Sequence, residues 1–212
     1  MSHKRYVIMA NGHGTRWGGH LGIPKQLIEI HGETLLRRIV RQVSSLEPSA
    51  EIIISSSDPR HDTHGAIRYE PVRSEIELDR FVEELITNDT CFLYGDTFYA
   101  DEALEIIVQG PSQDVAFFGD DRSIVGVSCH DEHQFRFHLN NVREAYMSGR
   151  IDNCIGWQVY QSFVGQLFEQ LMIGENFVRL AEHLTCGFNS PEDLLRFVDG
   201  MDEERALIQP IS

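Results

Sequence analysis

Cysteine is scarce in this chain and widely scattered. Cys91, Cys129, Cys154 and Cys186 form no C-x-x-C pair, so the spacing gives neither a zinc knuckle nor a disulfide framework, and reduced thiols are expected. Positive charge is scarce too. Eighteen Lys+Arg stand against 33 Asp+Glu, a net charge of −15 that repels polyanions, so neither nucleic acid nor an anionic membrane is an expected partner. No apolar stretch approaches the length of a membrane span, and the run near the start, Tyr6 to Ala10, is too short for a signal core; a cytoplasmic protein is expected. The Ser55-Ser56-Ser57 run lacks the GxSxG elbow of a serine hydrolase. His61, His64, His130, His133 and His138 lack HExxH spacing with a further ligand, so a zinc role is not expected. Repeats and low-complexity linkers are missing, and 212 residues suit one domain, 1–212, with a sizeable core.

What is present is concentrated between Tyr6 and Gln26. An apolar run, Tyr6-Val7-Ile8-Met9-Ala10, opens into Asn11-Gly12-His13-Gly14-Thr15-Arg16-Trp17 and then Pro24-Lys25-Gln26. This reads as a strand delivering a phosphate-holding loop. Gly12 and Gly14 allow close backbone approach, so successive N–H groups can converge on an anion, while Arg16 and Lys25 supply fixed positive charge. Two better-known glycine motifs are excluded. Trp17 fills the third glycine position of a dinucleotide-binding GxGxxG, and no GK[ST] ends the run as in a Walker A loop.

Periodicity alternates between strand and helix along the chain. The apolar spacing predicts a helix from Thr34 to Leu46, a buried strand at Glu51–Ser55, a second helix starting at Ser74 with Leu78, Phe81, Val82, Leu85 and Ile86 inward, and a strand at Thr90–Tyr94. Further on it predicts a short helix at Ala103–Val108, strands at Asp114–Phe118 and Ser123–Ser128, and a half-buried strand carrying Phe135, Phe137 and Leu139. Helices are expected at Val159–Ile173 and Phe177–Leu184, with a last one starting at Ser190-Pro191. Such alternation implies a three-layer α/β/α domain around a mostly parallel sheet, with ligands at the carboxyl ends of the strands. Asp96, just past a buried strand and preceded by Gly95, falls at such an end and is placed to hold Mg²⁺ against phosphate oxygens.

Met9-Ala10-Asn11-Gly12-His13-Gly14-Thr15-Arg16 followed by Pro24-Lys25 resembles the L-A-A-G-x-G-x-R…P-K signature of the nucleotidyltransferase (pyrophosphorylase) family, in either its sugar-1-phosphate or its small cytidylyltransferase branch. The resemblance implies a Rossmann-like nucleotide-diphospho-sugar transferase (GT-A-like) fold, an NTP and a phosphorylated acceptor as substrates, and Mg²⁺ as cofactor. It also implies roles. The backbone of Gly12, His13, Gly14 and Thr15 would cradle the triphosphate, Ala10 and Asn11 would face the base, Arg16 would hold the β- and γ-phosphates, and Lys25 the α-phosphate. Phe92-Leu93-Tyr94-Gly95-Asp96 matches the strand that carries the family's metal-binding aspartate.

The similarity is looser elsewhere. Gly187-Phe188-Asn189-Ser190-Pro191-Glu192-Asp193-Leu194 resembles the family's D-x-[NDG]-T-P-E-D-L segment, but Gly187 fills the place of a second metal-binding aspartate, leaving Asn189 as a neutral ligand with Asp152 as another candidate. Asn153 and Gly156, in Asp152–Tyr160, resemble the acceptor-side N-x-G segment with one extra residue between them. The implied acceptor is a sugar 1-phosphate first and a phosphorylated polyol or alcohol second. A glycosyltransferase shares this fold but normally carries D-x-D. A nucleotide-binding protein without catalysis is the other alternative. Homodimers are common among such enzymes, although the sequence shows no heptads or exposed patch.

Overall fold

Runs of β-branched and aromatic residues without a polar face must be covered on both sides, and three of them form the centre of this molecule. The structure, a computed structural model, describes residues 4–12, 14–112 and 114–208. In chain order the elements are β1 (Arg5–Met9), β2 (Glu29–Ile30), β3 (Glu33–Thr34), α1 (Leu35–Leu46), β4 (Glu51–Ser55), β5 (Ile67–Tyr69), β6 (Thr90–Tyr94), β7 (Thr97–Tyr99), α2 (Asp101–Val108), β8 (Val115–Gly119), β9 (Ile124–Cys129), α3 (Glu132–Met147), α4 (Gly156–Phe163), β10 (Phe177–Arg179), β11 (Thr185–Gly187) and α5 (Pro191–Ile208).

Seven strands make one sheet in the order β10-β8-β9-β6-β1-β4-β5. All its pairings are parallel except the two that β9 makes, with β6 and with β8. The expected mostly parallel sheet is therefore what forms. Along β1 the side chains alternate between two covers. Tyr6 and Ile8 join Ile52, Ile54 and Leu93 beneath α1 and α2, while Val7 and Met9 join Ile53 and Phe92 beneath α3 and α4. A third, smaller cluster packs Trp17, Ile28, Ile30 and Leu35 against Phe188, with Leu194 and Phe197 of α5 at its edge.

Helix α1 begins where the sequence indicates, with the Thr34 hydroxyl accepting from the Arg37 N–H at 3.3 Å. Four other segments differ from expectation. The helix expected from Ser74 is two separate 3₁₀ turns, Glu77–Arg80 and Glu83–Leu85. The cause is Asp79, 5% exposed, whose carboxylate accepts from the N–H groups of Glu75 (2.9 Å) and Ile76 (3.0 Å) and pairs with Arg143 of α3 (2.7 Å). The chain wraps around a side chain instead of building an i→i−4 ladder. Leu78, Phe81, Val82, Leu85 and Ile86 are buried all the same.

The strand expected through Phe135, Phe137 and Leu139 is part of α3. Asp131 caps it by accepting from the Gln134 N–H at 2.9 Å, and Phe135, Leu139 and Val142 recur inward at helical spacing while Phe137 is exposed. The helix expected over Phe177–Leu184 is strand β10 and a 3₁₀ turn, because β10 completes the sheet edge beside β8 and Phe177 stacks on Trp157 at 5.5 Å. Lastly, α4 stops at Phe163 rather than Ile173. The Gln161 amide donates to the carbonyls of Leu167, Phe168 and Gln170, holding the next stretch as a loop. Among the described residues no helix is long and apolar enough to cross a membrane.

Asp79 yields a stability prediction. Burial alone would raise its pKa, but the N–H groups of Ile76 and Glu75 and the Arg143 guanidinium outweigh that and hold it below the ordinary 3.8. Its contribution is thus present above about pH 4 and is lost as pH falls through the lower folded value. Asp79→Ala should lose about 3 kcal/mol at neutral pH in urea unfolding, with the gap to wild type shrinking in acid.

Candidate functional site

The glycine loop leaves β1 at its carboxyl end. Its exit is fixed from both neighbours, the Ala10 N–H donating to the Ser55 carbonyl at 3.0 Å and the Gly95 N–H to the Met9 carbonyl at 3.0 Å. A side chain at residue 95 would not fit. A Cβ there would stand 2.9 Å from the Met9 carbonyl oxygen, so Gly95 is what lets the turn bearing Asp96 lie against the loop. That turn is held further by Tyr99, whose hydroxyl accepts from the Tyr94 N–H at 3.0 Å and donates to the Val125 carbonyl at 2.6 Å.

Beyond the turn, β7 pairs antiparallel with β11, setting Thr97 opposite Gly187. The Phe188 N–H then donates to the Asp96 carbonyl at 2.8 Å, which brings Asn189 to the same place. Asp193 accepts from the N–H groups of Asn189 (2.9 Å) and Ser190 (2.8 Å), fixing the start of α5. Asp96 and Asn189, 93 residues apart in sequence (189 − 96), are neighbours through one short two-stranded sheet.

A cleft of about 390 Å³ lies over these residues. Gly12, Gly14, Thr15, Arg16, Lys25 and Asp96 line it, as do Gly156 and Asn189. The Lys25 ammonium, in the turn after Pro24, forms an ion pair with the Asp96 carboxylate, both side chains being largely shielded. Arg16 Nη2 donates to Asn189 Oδ1 at 3.2 Å. Ala10 and Asn11 lie on the far side of the loop, in a second cavity of about 390 Å³ that shares Gly12, Gly14 and Lys25 with the first. The sequence-predicted set thus converges, with two exceptions. Asn153 is exposed and is not in the cleft wall, as is Asp152, and the wall there is Ile155, Gly156 and Trp157. His13 lies outside the described residues.

Arg80 and Arg122 line the cleft without any signal in the sequence, whereas Tyr94 and Trp157 do so from within the Phe92–Asp96 and Asp152–Tyr160 segments. The Arg80 guanidinium lies 5.5 Å from the centre of the Tyr94 ring, its Nη2 is 3.5 Å from where a Cβ on Gly12 would stand, and it pairs with Glu77. Burial pushes the Tyr94 hydroxyl up, keeping it neutral. Arg122 sits in the turn between β8 and β9, where Asp120 accepts from its N–H, and its guanidinium reaches Glu182 at 2.9 Å. Neither arginine belongs to a motif. Arg80 and Arg122 become cleft residues only through turns that periodicity does not reveal.

Among the described residues no group of three or more His, Cys, Asp or Glu side chains could hold a metal ion. Asp96 and Asn189 offer two oxygen donors. Such donors suit a hard cation that keeps several waters, as Mg²⁺ does, and not a thiolate- or imidazole-bound metal.

No curated protein matches this chain. Residues 6–80, from β1 through the loop and Lys25 to Arg80, match the MobA-like NTP transferase domain. Among solved structures, a CTP:phosphocholine cytidylyltransferase from Streptococcus pneumoniae superposes with a TM-score of 0.60 at 14% identity, over 95% of this chain and 100% of that one. An inositol-1-phosphate CTP transferase from T. maritima superposes with 0.60 at 13% identity, over 93% and 94%. The chain has the nucleotidyltransferase fold. A nucleoside-diphosphate-sugar pyrophosphorylase from Vibrio cholerae is similar as well, with a TM-score of 0.58 at 14% identity over 92% and 99%.

In this nucleotidyltransferase fold Gly187 leaves room where a second carboxylate would stand. A Cβ there would approach nothing closer than 3.8 Å, from Asn189 Nδ2 and Thr97 Oγ1, and Gly187 has no positive φ to strain a larger residue. Gly187→Asp should therefore fold normally and tighten Mg²⁺ binding by about tenfold or more in calorimetry, since carboxylate count governs affinity for hard cations. Unchanged affinity would mean that residue 187 does not face the ion.

Proposed function

We propose that the protein is a nucleotidyltransferase that moves a nucleoside monophosphate from an NTP to the phosphate of a small phosphorylated acceptor, releasing pyrophosphate. The observation that carries this reading is the glycine loop standing as a wall between two cavities, with Arg16, Lys25 and Asp96 gathered on one side. A triphosphate laid along the loop puts its nucleoside in the cavity of Ala10 and Asn11 and its phosphates in the cleft.

An acceptor phosphate oxygen attacks the α-phosphorus. A new P–O bond forms there, the bond to the β-phosphate's bridging oxygen breaks, and the electron pair leaves with pyrophosphate. An anionic acceptor needs no general base, so the protein's work is to orient the reactants and offset charge. Thr15 and the loop N–H groups fix the triphosphate, Arg16 meets the charge growing on the leaving pyrophosphate, and Lys25 meets the α-phosphate. Asp96, with Asn189 beside it, would hold Mg²⁺, which when bound neutralises phosphate charge.

The acceptor enters from the Gly156 side. Gly156 is required there, since a Cβ would stand 2.9 Å from the Tyr94 hydroxyl, and Trp157 presents an aromatic wall. A phosphorylated sugar, polyol or alcohol remains the class proposed. It is supported by the acceptors named for the similar structures, phosphocholine and inositol 1-phosphate.

The test is pyrophosphate release from CTP, UTP, GTP, ATP and dTTP with Mg²⁺ against a panel of sugar 1-phosphates and polyol phosphates. Acceptor-dependent release that vanishes in Asp96→Ala is expected. Tight NTP binding without release across the panel would replace this reading with a nucleotide-binding protein. Lys25→Ala should lose about 10² to 10³ in kcat, the usual loss for one transition-state charge contact, and wild-type turnover in that variant would remove Lys25 from the mechanism.

A further inference from the structure

Among the described residues four cationic side chains stand in the cleft wall: Arg16, Lys25, Arg80 and Arg122. The first two contact Asn189 and Asp96 and are proposed to meet the triphosphate. The acceptor phosphate is left without a counter-charge, although it must reach bonding distance of a polyanion. In a cleft partly shielded from water two such anions repel strongly, and a cation between them replaces that repulsion with two attractions. Arg80 stands at the junction. Its Nη2 is 3.5 Å from where a Cβ on Gly12 would stand, and its guanidinium is 5.5 Å from the centre of the Tyr94 ring. The Tyr94 hydroxyl in turn lies 2.9 Å from the Cβ position of Gly156 on the acceptor side. Arg80 therefore links the glycine loop to the acceptor wall.

We infer that Arg80 binds the phosphate of the acceptor and draws it up to the α-phosphate, selecting a phosphorylated acceptor over its unphosphorylated counterpart. The side chain is 21% exposed, whereas Glu77, its ion-pair partner at 3.6 Å, is 56% exposed and can turn to water as an anion takes its place. Arg122 is the poorer candidate, being 74% exposed and already 2.9 Å from Glu182. A guanidinium suits the junction because its planar fork gives two N–H donors to one phosphate and keeps others for the triphosphate, which a lysine ammonium cannot do in a fixed geometry. The Tyr94 ring orients that fork, and its hydroxyl, kept neutral by burial, adds no competing negative charge.

This rests on the nucleotidyltransferase reading, and its test separates the two. Pyrophosphate release is measured for wild type, Arg80→Lys and Arg80→Met at saturating NTP, with the acceptor that serves wild type best. Inhibition is measured with the two halves of that acceptor, inorganic phosphate and the dephosphorylated compound. Arg80→Met should raise the acceptor KM and the inhibition constant of inorganic phosphate by about tenfold or more, the usual scale for one charge-assisted pair. Inhibition by the dephosphorylated compound and the KM for NTP should stay at wild-type values, and Arg80→Lys should fall between. An unchanged acceptor KM, a rise in the KM for NTP instead, or equal weakening of both halves would overturn the inference, the last by making Arg80 a structural support. Absence of release by wild type with every acceptor would overturn the nucleotidyltransferase reading and this one with it. Circular dichroism checks folding. Should Arg80→Met not fold or not turn over, Arg80→Lys decides on the same two inhibitors: weaker inhibition by phosphate alone supports the inference, and any other pattern overturns it.

Discussion

The parallel register of β4, β1 and β6 is the constraint from which the site hangs. Met9 stands opposite Ser55 on one side and Tyr94 on the other, so three strands end at one level. Any segment leaving them emerges at the same rim of the sheet. The glycine loop leaves β1 there, the Ser56 to His61 segment leaves β4, and Gly95-Asp96 leaves β6. A one-residue slip in either pairing would carry Asp96 or the loop away from that rim and exchange the two apolar faces of the strand concerned.

The centre of the fold was legible because it obeys simple rules. Strands buried on both faces show as unbroken apolar runs, and α1 shows as a 3.6-residue stripe with a threonine cap. That the glycine loop, Lys25 and Asp96 meet in one cleft was legible because they are particular residue types at particular distances along the chain. The misread segments each lost to tertiary contact. Asp79 binds two backbone N–H groups and Arg143, a partner 64 residues away, and replaces a helix with turns. Phe135, Phe137 and Leu139 alternate over too few residues to distinguish a strand from the helix whose next inward residue is Val142. Phe177 to Arg179 is a strand because an edge of β8 was open to it, a fact that does not reside in those three residues.

Trp17 shows how a departure from one motif became part of another arrangement. Where a dinucleotide loop needs glycine for close helix packing, this chain buries an indole against Ile28, Leu35 and Phe188 and ties its Nε1–H to the Ile23 carbonyl at 2.9 Å. The loop is thereby fastened to the segment carrying Pro24 and Lys25 and to the residues just before Asn189. The geometry of the cations is set by apolar packing beneath them. This explains why residues 18–22, with three of five in glycine, can form an irregular span without loosening Lys25.

The placement of Trp157 has a spectroscopic consequence. The chain has two tryptophans, and they divide the site between them. Trp17 is buried at the wall of the cavity behind the loop, and Trp157 lies partly open on the opposite side of the cleft, stacked on Phe177. An indole shielded from water emits at shorter wavelength than one in contact with it, so the intrinsic fluorescence carries two separable signals. Anything settling behind the loop would perturb the blue component and anything entering beside α4 the red one, so the two cavities would report their occupancy by separate optical signals without any added label.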